Sequence, residues 1–192
     1  MKTASDSHPV RALALFRFAL AVLLLLVYVG EVRVTKARLE SSDSRPSTPH
    51  ILTGKVVKVV DGDTIYALDE TLTQYKVRLA GIDAPERNQP YGLASRKHLG
   101  SLVAGKTVTI EYTKHDRYGR IVAKVSINGV DVCLEQIKAG FAWHYKKYQN
   151  EQGPGDRALY AHAEHRARTE RIGLWRDNRP TPPWDFRRLH GS

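Results

Sequence analysis

Gly54-Lys55-Val56-Val57-Lys58-Val59-Val60-Asp61-Gly62-Asp63-Thr64-Ile65-Tyr66-Ala67-Leu68 reads as strand, tight turn and strand. The run Gly54 to Val60 is rich in β-branched residues, which suit a pleated surface. Asp61-Gly62-Asp63 is a turn signal, because glycine tolerates unusual backbone angles and aspartate bonds to its own backbone. Thr64 to Leu68 resumes as a second strand. Further on, Tyr75, Val77 and Leu79 alternate with Lys76 and Arg78, giving a third strand with Arg78 off the apolar face. Thr107 to Tyr112 is a fourth strand and Arg120 to Ile127 a fifth, closed by the tight turn Asn128-Gly129.

Three helices fill the gaps. Tyr91 to Ala104 carries Leu99, Leu102 and Val103 on one face and stops at Gly105. Asp131 caps a second helix, with Val130, Leu134 and Ile137 on its buried face and Gly140 at its end. Asp156 to Ile172 follows Pro154-Gly155, and its thin apolar face is Leu159, Ala163 and Ala167. The pattern is α+β, and five short strands interrupted by helices suggest a small Greek-key barrel. The prolines of Pro180-Thr181-Pro182-Pro183-Trp184-Asp185-Phe186 exclude a helix interior. Residues 179–192 are therefore read as a Pro-, Trp- and Arg-rich tail, with Trp184 and Phe186 able to dock it.

Chemistry concentrates in Val60-Asp61-Gly62-Asp63-Thr64, Val77-Arg78-Leu79-Ala80-Gly81-Ile82-Asp83-Ala84-Pro85-Glu86 and Asp116-Arg117-Tyr118-Gly119-Arg120. Asp63 leaves a turn and Asp83 leaves a strand end. Brought together, they repel unless a hard cation sits between them. Either acid alone is more simply a solvated turn residue; Glu86, held stiffly behind Pro85, shifts that balance. Arg78 and Arg120 offer planar forks of donors that stay charged at any working pH, as a phosphate clamp requires. Each is also a plausible exposed strand residue when taken singly.

At these residues the chain resembles the thermonuclease, or staphylococcal nuclease, family. The resemblance runs from about Ile51 to Asp177 and rests on D-G-D-T, then R-L-x-G-I-D-A-P-E, then D-R-Y-G-R, in that order. It implies an OB-fold-like, five-stranded Greek-key barrel with three helices over residues 51–178. It implies Ca2+ held by Asp63, Asp83 and the backbone carbonyl of Ala84, where the family commonly has Thr. Asp61 stands behind these ligands. Arg78 and Arg120 correspond to the catalytic arginines, and Glu86 to the acid that either removes a proton from the attacking water or organises that water. The implied reaction is hydrolysis of DNA and RNA alike, single strands favoured, at the 5′ P–O bond to leave 3′-phosphate ends. Tyr118 matches a substrate-side tyrosine well and Tyr148 approximately; Arg117 and Tyr145 complete the candidate substrate-binding set. The segment from Glu86 to Tyr91 is shorter than the family's mobile loop with its phosphate-binding lysine, a role left to Arg87 or Arg96.

The 192 residues suit one domain with extras, and 42% hydrophobic content is adequate for its core. Thirty Lys and Arg against 20 Asp and Glu give net +10, which attracts polyanions. The single cysteine, Cys133, excludes an intramolecular disulfide and reads as a small core residue. Lys2, Arg11 and Arg17 precede an unbroken apolar run from Phe18 to Val29, so residues 1–30 read as a signal peptide or an uncleaved membrane anchor. Residues 31–50 are a polar tether. The expectation is a monomeric nuclease, secreted, periplasmic or anchored outside the cytosol. The alternative is a non-catalytic nuclease-like module, tethered to a membrane, that grips nucleic acid or protein. Retention of all five acids and arginines argues against it.

Overall fold

A computed structural model describes residues 48–191. The expected signal or anchor segment, most of the tether and Ser192 lie outside the described residues.

Alternation of buried and exposed side chains closes five strands into a barrel. Strand β1 (His50–Val59) lies between β2 (Thr64–Leu68) and β5 (Thr107–His115), antiparallel to both. β2 pairs with β3 (Gln74–Leu79), and β5 with β6 (Ile121–Ile127), again antiparallel. β3 and β6 then meet in parallel, with Arg78 opposite Val122, and this pairing closes the ring. Its interior is filled by Val56, Ile65, Ala67, Val77, Leu79, Val108, Ile110, Ala123 and Val125, all essentially buried. The ladder slips between Tyr112 and Lys114, and β5 runs on past the expected Tyr112 to His115. β1 begins at His50, one residue inside the segment read as tether.

Asn128 and Gly129 both have positive φ, as a two-residue hairpin loop requires, and lead into the short β7 (Val130–Asp131). Val130 is therefore an exposed edge residue and not part of a helix's buried face. Helix α1 (Gly92–Val103) buries Leu99 and Val103. Helix α2 (Val132–Lys138) is capped by Asp131, whose Oδ1 accepts the Leu134 N–H at 3.0 Å. Burial pushes the Cys133 thiol up to about 12, as befits a core residue. Helix α3 (Pro154–Thr169) turns Tyr160, Ala163, Glu164 and Ala167 inward. Ala163 and Ala167 are buried as expected, but Leu159 is 55% exposed and Tyr160 takes its place on the inner face.

The fourth helix was not expected. Residues Pro183–His190 form α4, with Pro183 in its first turn, where a missing N–H costs nothing. The prolines start this helix instead of preventing it. Pro183 and Phe186 are buried, and Trp184 joins a second small core with Trp143, Leu174 and Trp175. Trp143 and Trp184 meet edge to face at 6.3 Å.

Candidate active site

The Asp61-Gly62-Asp63 turn is wound by its own side chains. Asp61 Oδ1 accepts the Asp63 N–H at 3.0 Å, and Asp63 Oδ1 accepts the Thr64 hydroxyl at 3.0 Å. Gly62 is required by packing: a Cβ there would stand 1.8 Å from Ser95 Oγ and 2.7 Å from Ala84 Cβ. Helix α1 thus presses directly on the turn, and Gln136 of α2 donates to the Gly62 carbonyl at 2.6 Å. Asp63 Oδ2 accepts the Ala84 N–H at 2.8 Å, tying the turn to the second acidic segment.

That segment is set by two two-residue strands. β4 (Ile82–Asp83) pairs with β8 (Trp143–His144), placing Asp83 opposite Trp143. The Asp83 side chain is 1% exposed. Arg78, reaching over from β3, joins the two acids: one Nη2 lies 2.9 Å from Asp83 Oδ1 and 3.1 Å from Asp63 Oδ2. Its Nη1 donates to the Leu79 carbonyl at 2.8 Å. Burial alone would lower the Arg78 pKa, but the charges of Asp63 and Asp83 outweigh it and hold the guanidinium ionised. Burial pushes the Asp61 carboxyl up to about 7, and the charge of Asp63 adds to the effect. Burial also raises Asp83, against the pull of Arg78 and Arg187.

Glu86 follows on the same loop, with its side chain 31% exposed. Its N–H donates to Gln89 Oε1 at 3.1 Å. Its carboxylate is met by Arg187 of α4, whose Nη1 lies 2.7 Å from Glu86 Oε1 and whose Nη2 lies 2.8 Å from Asp83 Oδ2. Arg187 was missed in the sequence because the Pro-rich tail was not read as a helix. The available signal was Pro182-Pro183 as a helix start, which puts Arg187 on the first full turn after it.

Arg120 is held by a different partner, Asp116. It precedes β6, two residues before the Val122 that pairs with Arg78. Its carbonyl accepts the Asp116 N–H at 2.9 Å, closing the hairpin just before the strand begins. Its Nε lies 2.7 Å from Asp116 Oδ2, and Asp116 Oδ1 accepts the N–H groups of Tyr118 and Arg120 at 2.9 and 3.0 Å. Asp116 is thus the organiser of the hairpin, a role legible in an aspartate opening a turn. Among the described residues no hydrogen bond or ion pair links Arg120 to Asp63, Asp83 or Glu86.

The candidate substrate side chains fall in two places. Tyr118 is 68% exposed, with the Arg117 and Arg120 guanidinium carbons 4.9 and 5.5 Å from its ring centroid. Tyr145 leaves β8 beside Asp83; burial raises its phenol, and the Asp83 charge raises it further. It stacks on Trp184 at 5.5 Å and 14°, and meets Tyr148 edge-on at 5.1 Å. A groove of about 420 Å³ beside them has Tyr145, Trp184, Lys146, Arg168 and Arg188 in its lining, together with the acids Glu164 and Asp185 that pair with these cations. A second cavity of about 530 Å³, between β1 and α1, contains none of the acids. Arg96 lines that cavity, and its Nε donates to the Val59 carbonyl at 3.0 Å; Arg87 is exposed.

Two buried carboxylates close enough to share one guanidinium nitrogen, with a backbone carbonyl next to one of them, are the oxygen donors a hard cation takes. Among the described residues no three His, Cys, Asp or Glu side chains cluster to enclose a metal. A cation at Asp63 and Asp83 would complete its shell with the Ala84 carbonyl and water, and would share carboxylate oxygens with Arg78 and Arg187. The chemistry of the donors fits calcium on those terms.

Residues 76–177 match the model of the family described as Staphylococcal nuclease homologue. A protein of Escherichia coli described as an uncharacterized endonuclease is 42% identical over 135 residues, 70% of this chain and 84% of that protein. One of Haemophilus influenzae with the same description is 41% identical over 136 residues, 71% of this chain and 73% of that protein. A probable staphylococcal-like nuclease of Oryza sativa subsp. japonica is 40% identical over 121 residues, 62% of this chain and 31% of that protein. With the closed barrel and the acid–arginine cluster already in place, these matches decide the matter: the chain belongs to the staphylococcal nuclease homologue family and is a nuclease.

Proposed function

We propose that the chain is a calcium-dependent, sugar-nonspecific nuclease that hydrolyses single-stranded DNA and RNA to 3′-phosphate ends. The observation that carries this reading is the contact of one Arg78 nitrogen with both buried carboxylates, Asp63 and Asp83, beside the Glu86 carboxylate. Calcium bound at Asp63, Asp83 and the Ala84 carbonyl would offset charge on the phosphate oxygens. Glu86 orients or deprotonates the water that attacks phosphorus in line with the departing 5′ oxygen. Arg78 and Arg120 meet the negative charge that grows on the remaining oxygens, where fixed donors act most strongly. Tyr118, with Arg117, and the Tyr145–Tyr148 pair give flat surfaces for bases. Such stacking is sequence-tolerant and contributes about 1–3 kcal/mol per base.

The test is cleavage of single-stranded DNA and of RNA by the full chain with Ca2+, with Mg2+ and with chelator. Cutting of both polymers with Ca2+ and poor cutting with Mg2+ is expected, since Mg2+ demands near-ideal octahedral geometry. Undiminished cutting in excess chelator overturns the calcium reading. We further propose that residues 1–30 carry the domain out of the cytosol, on the strength of the basic residues, apolar run and polar tether in the sequence. Cell fractionation tests this, and an intact, soluble, cytosolic chain overturns it.

A further inference from the structure

We propose that Arg187 is a positioning residue for Glu86, and that the segment Thr181 to His190 acts as a clasp that sets the catalytic loop. The proposal rests on the reading of Glu86 as the group that handles the attacking water. Among the described residues, Arg187 is the only partner of the Glu86 carboxylate. The same guanidinium grips Asp83 through both its terminal nitrogens, at 2.8 Å from Nη2 to Oδ2 and 3.3 Å from Nη1 to Oδ1. Asp83 is buried and fixed by the β4–β8 pairing, so the planar fork carries that fixed position across to Glu86. The backbone of the loop is held from the same segment. Glu86 N–H donates to Gln89, and Gln89 Nε2 in turn donates to the Thr181 carbonyl at 2.6 Å.

The clasp is itself anchored. Trp184 stacks on Tyr145, and Pro183 and Phe186 are buried against the domain. Only part of the Arg187 side chain, 32%, remains exposed. Without the guanidinium, the Asp83 and Glu86 carboxylates repel, and Glu86 has no side-chain contact to fix its rotamer. An error of about 1 Å in such a group costs roughly 100-fold in rate.

The experiment compares full-length wild type with Arg187→Ala, Arg187→Lys, Glu86→Gln and the double variant Glu86→Gln/Arg187→Ala, on single-stranded DNA with Ca2+. Arg187→Ala should lose roughly 10–100-fold in kcat with KM changed by less than about twofold. Arg187→Lys should regain part of that loss, since the ammonium keeps the charge but not the fork. The double variant should be no slower than Glu86→Gln, because a positioning residue has nothing left to position. Wild-type or higher kcat in Arg187→Ala would make α4 a cap over the acids and overturn the proposal. A rise in KM alone would make Arg187 a substrate contact, and a further loss on the Glu86→Gln background would give it an independent role; either result also overturns it. Wild-type kcat in Glu86→Gln is a separate failure, of the water-handling reading, and removes the positioning role with it. Should Arg187→Ala not fold, as judged by thermal unfolding, Arg187→Gln retains the length and polarity of the side chain and gives the same comparison.

Discussion

Arg78 and Arg120, the two arginines proposed to meet a phosphate, are held in different ways, and the difference separates their variants. Arg78 serves two buried acids and a carbonyl, whereas Arg120 is held by the half-buried Asp116 of an exposed hairpin. Lysine in either place keeps the charge and loses the fork, so both variants should turn over much more slowly than wild type. Only Arg78→Lys should also unfold more readily, by about 1–3 kcal/mol, because buried acceptors lose their donors. Denaturant unfolding beside steady-state rates checks this; equal stability losses in the two variants would mean that Arg78 does not bridge the acids. Asp116 adds a pH signature. Burial would raise its carboxyl, but the guanidinium of Arg120 and the N–H groups of Arg120 and Tyr118 hold it below its ordinary 3.8. A depressed carboxyl contributes stability in full above about pH 4, and that contribution is lost as pH falls through the folded value. Asp116→Asn should therefore be less stable than wild type at pH 7, with the gap closing below pH 3.8. A gap that persists unchanged at pH 2 would sink that account.

Among the elements, helix α1 and the Asp61–Asp63 turn are in such close contact that one methyl group is too much. Gly62→Ala should cost about 1–3 kcal/mol, since the new Cβ collides with Ser95 and Ala84. It should lower turnover as well, because Asp63 is bonded to the Ala84 N–H at the point of collision. Thermal unfolding and rates check both, and an unaltered melting temperature would contradict the packing. The strands were legible in the sequence because β-branched alternation is a period-2 signal, and Val56, Val77, Leu79, Val108 and Ile110 do face inward. β4 and β8 were not, because two residues carry no period, yet they fix Asp83 opposite Trp143. The acids and Arg78 could be picked out by residue type and spacing. That one Arg78 nitrogen touches both acids depends on the DGD turn being drawn onto Ala84, a contact between positions 21 apart. Helix α4 was hidden by its own prolines, and Arg187 with it. In α3 the expected face took Leu159 with Ala163 and Ala167; the two alanines are inside, but Tyr160 replaces Leu159, its hydroxyl 2.8 Å from Asp131 Oδ2.

At the scale of the whole molecule, net charge +10 meets a polyanion whose counterions are released on binding. Affinity for single-stranded DNA should therefore fall as salt rises. If Arg117 touches a phosphate, Arg117→Ala should flatten that log–log slope by about 0.7. Binding titrations between 50 and 200 mM salt, concentrations at which such effects are large, measure it, and an unchanged slope removes Arg117 from the substrate path. Closure of the barrel through the parallel β3–β6 pairing joins residues 77–79 to 121–123 and leaves the ring without open edges among its five strands.

The ion pairs of Arg187 also place the enzyme in time. Glu86 and Arg187 are 101 residues apart in the chain. At translation rates of about 5–20 residues per second, that separation corresponds to roughly 5–20 s of synthesis. During that interval a growing chain holds Asp83 and Glu86 with no guanidinium between them, and Gln89 has no Thr181 carbonyl to grip. A ribosome making this protein is itself built of nucleic acid and reads another strand of it. If α4 sets the Glu86 loop as proposed, the order of synthesis postpones full competence until α4, made well after the acids it holds, has followed them.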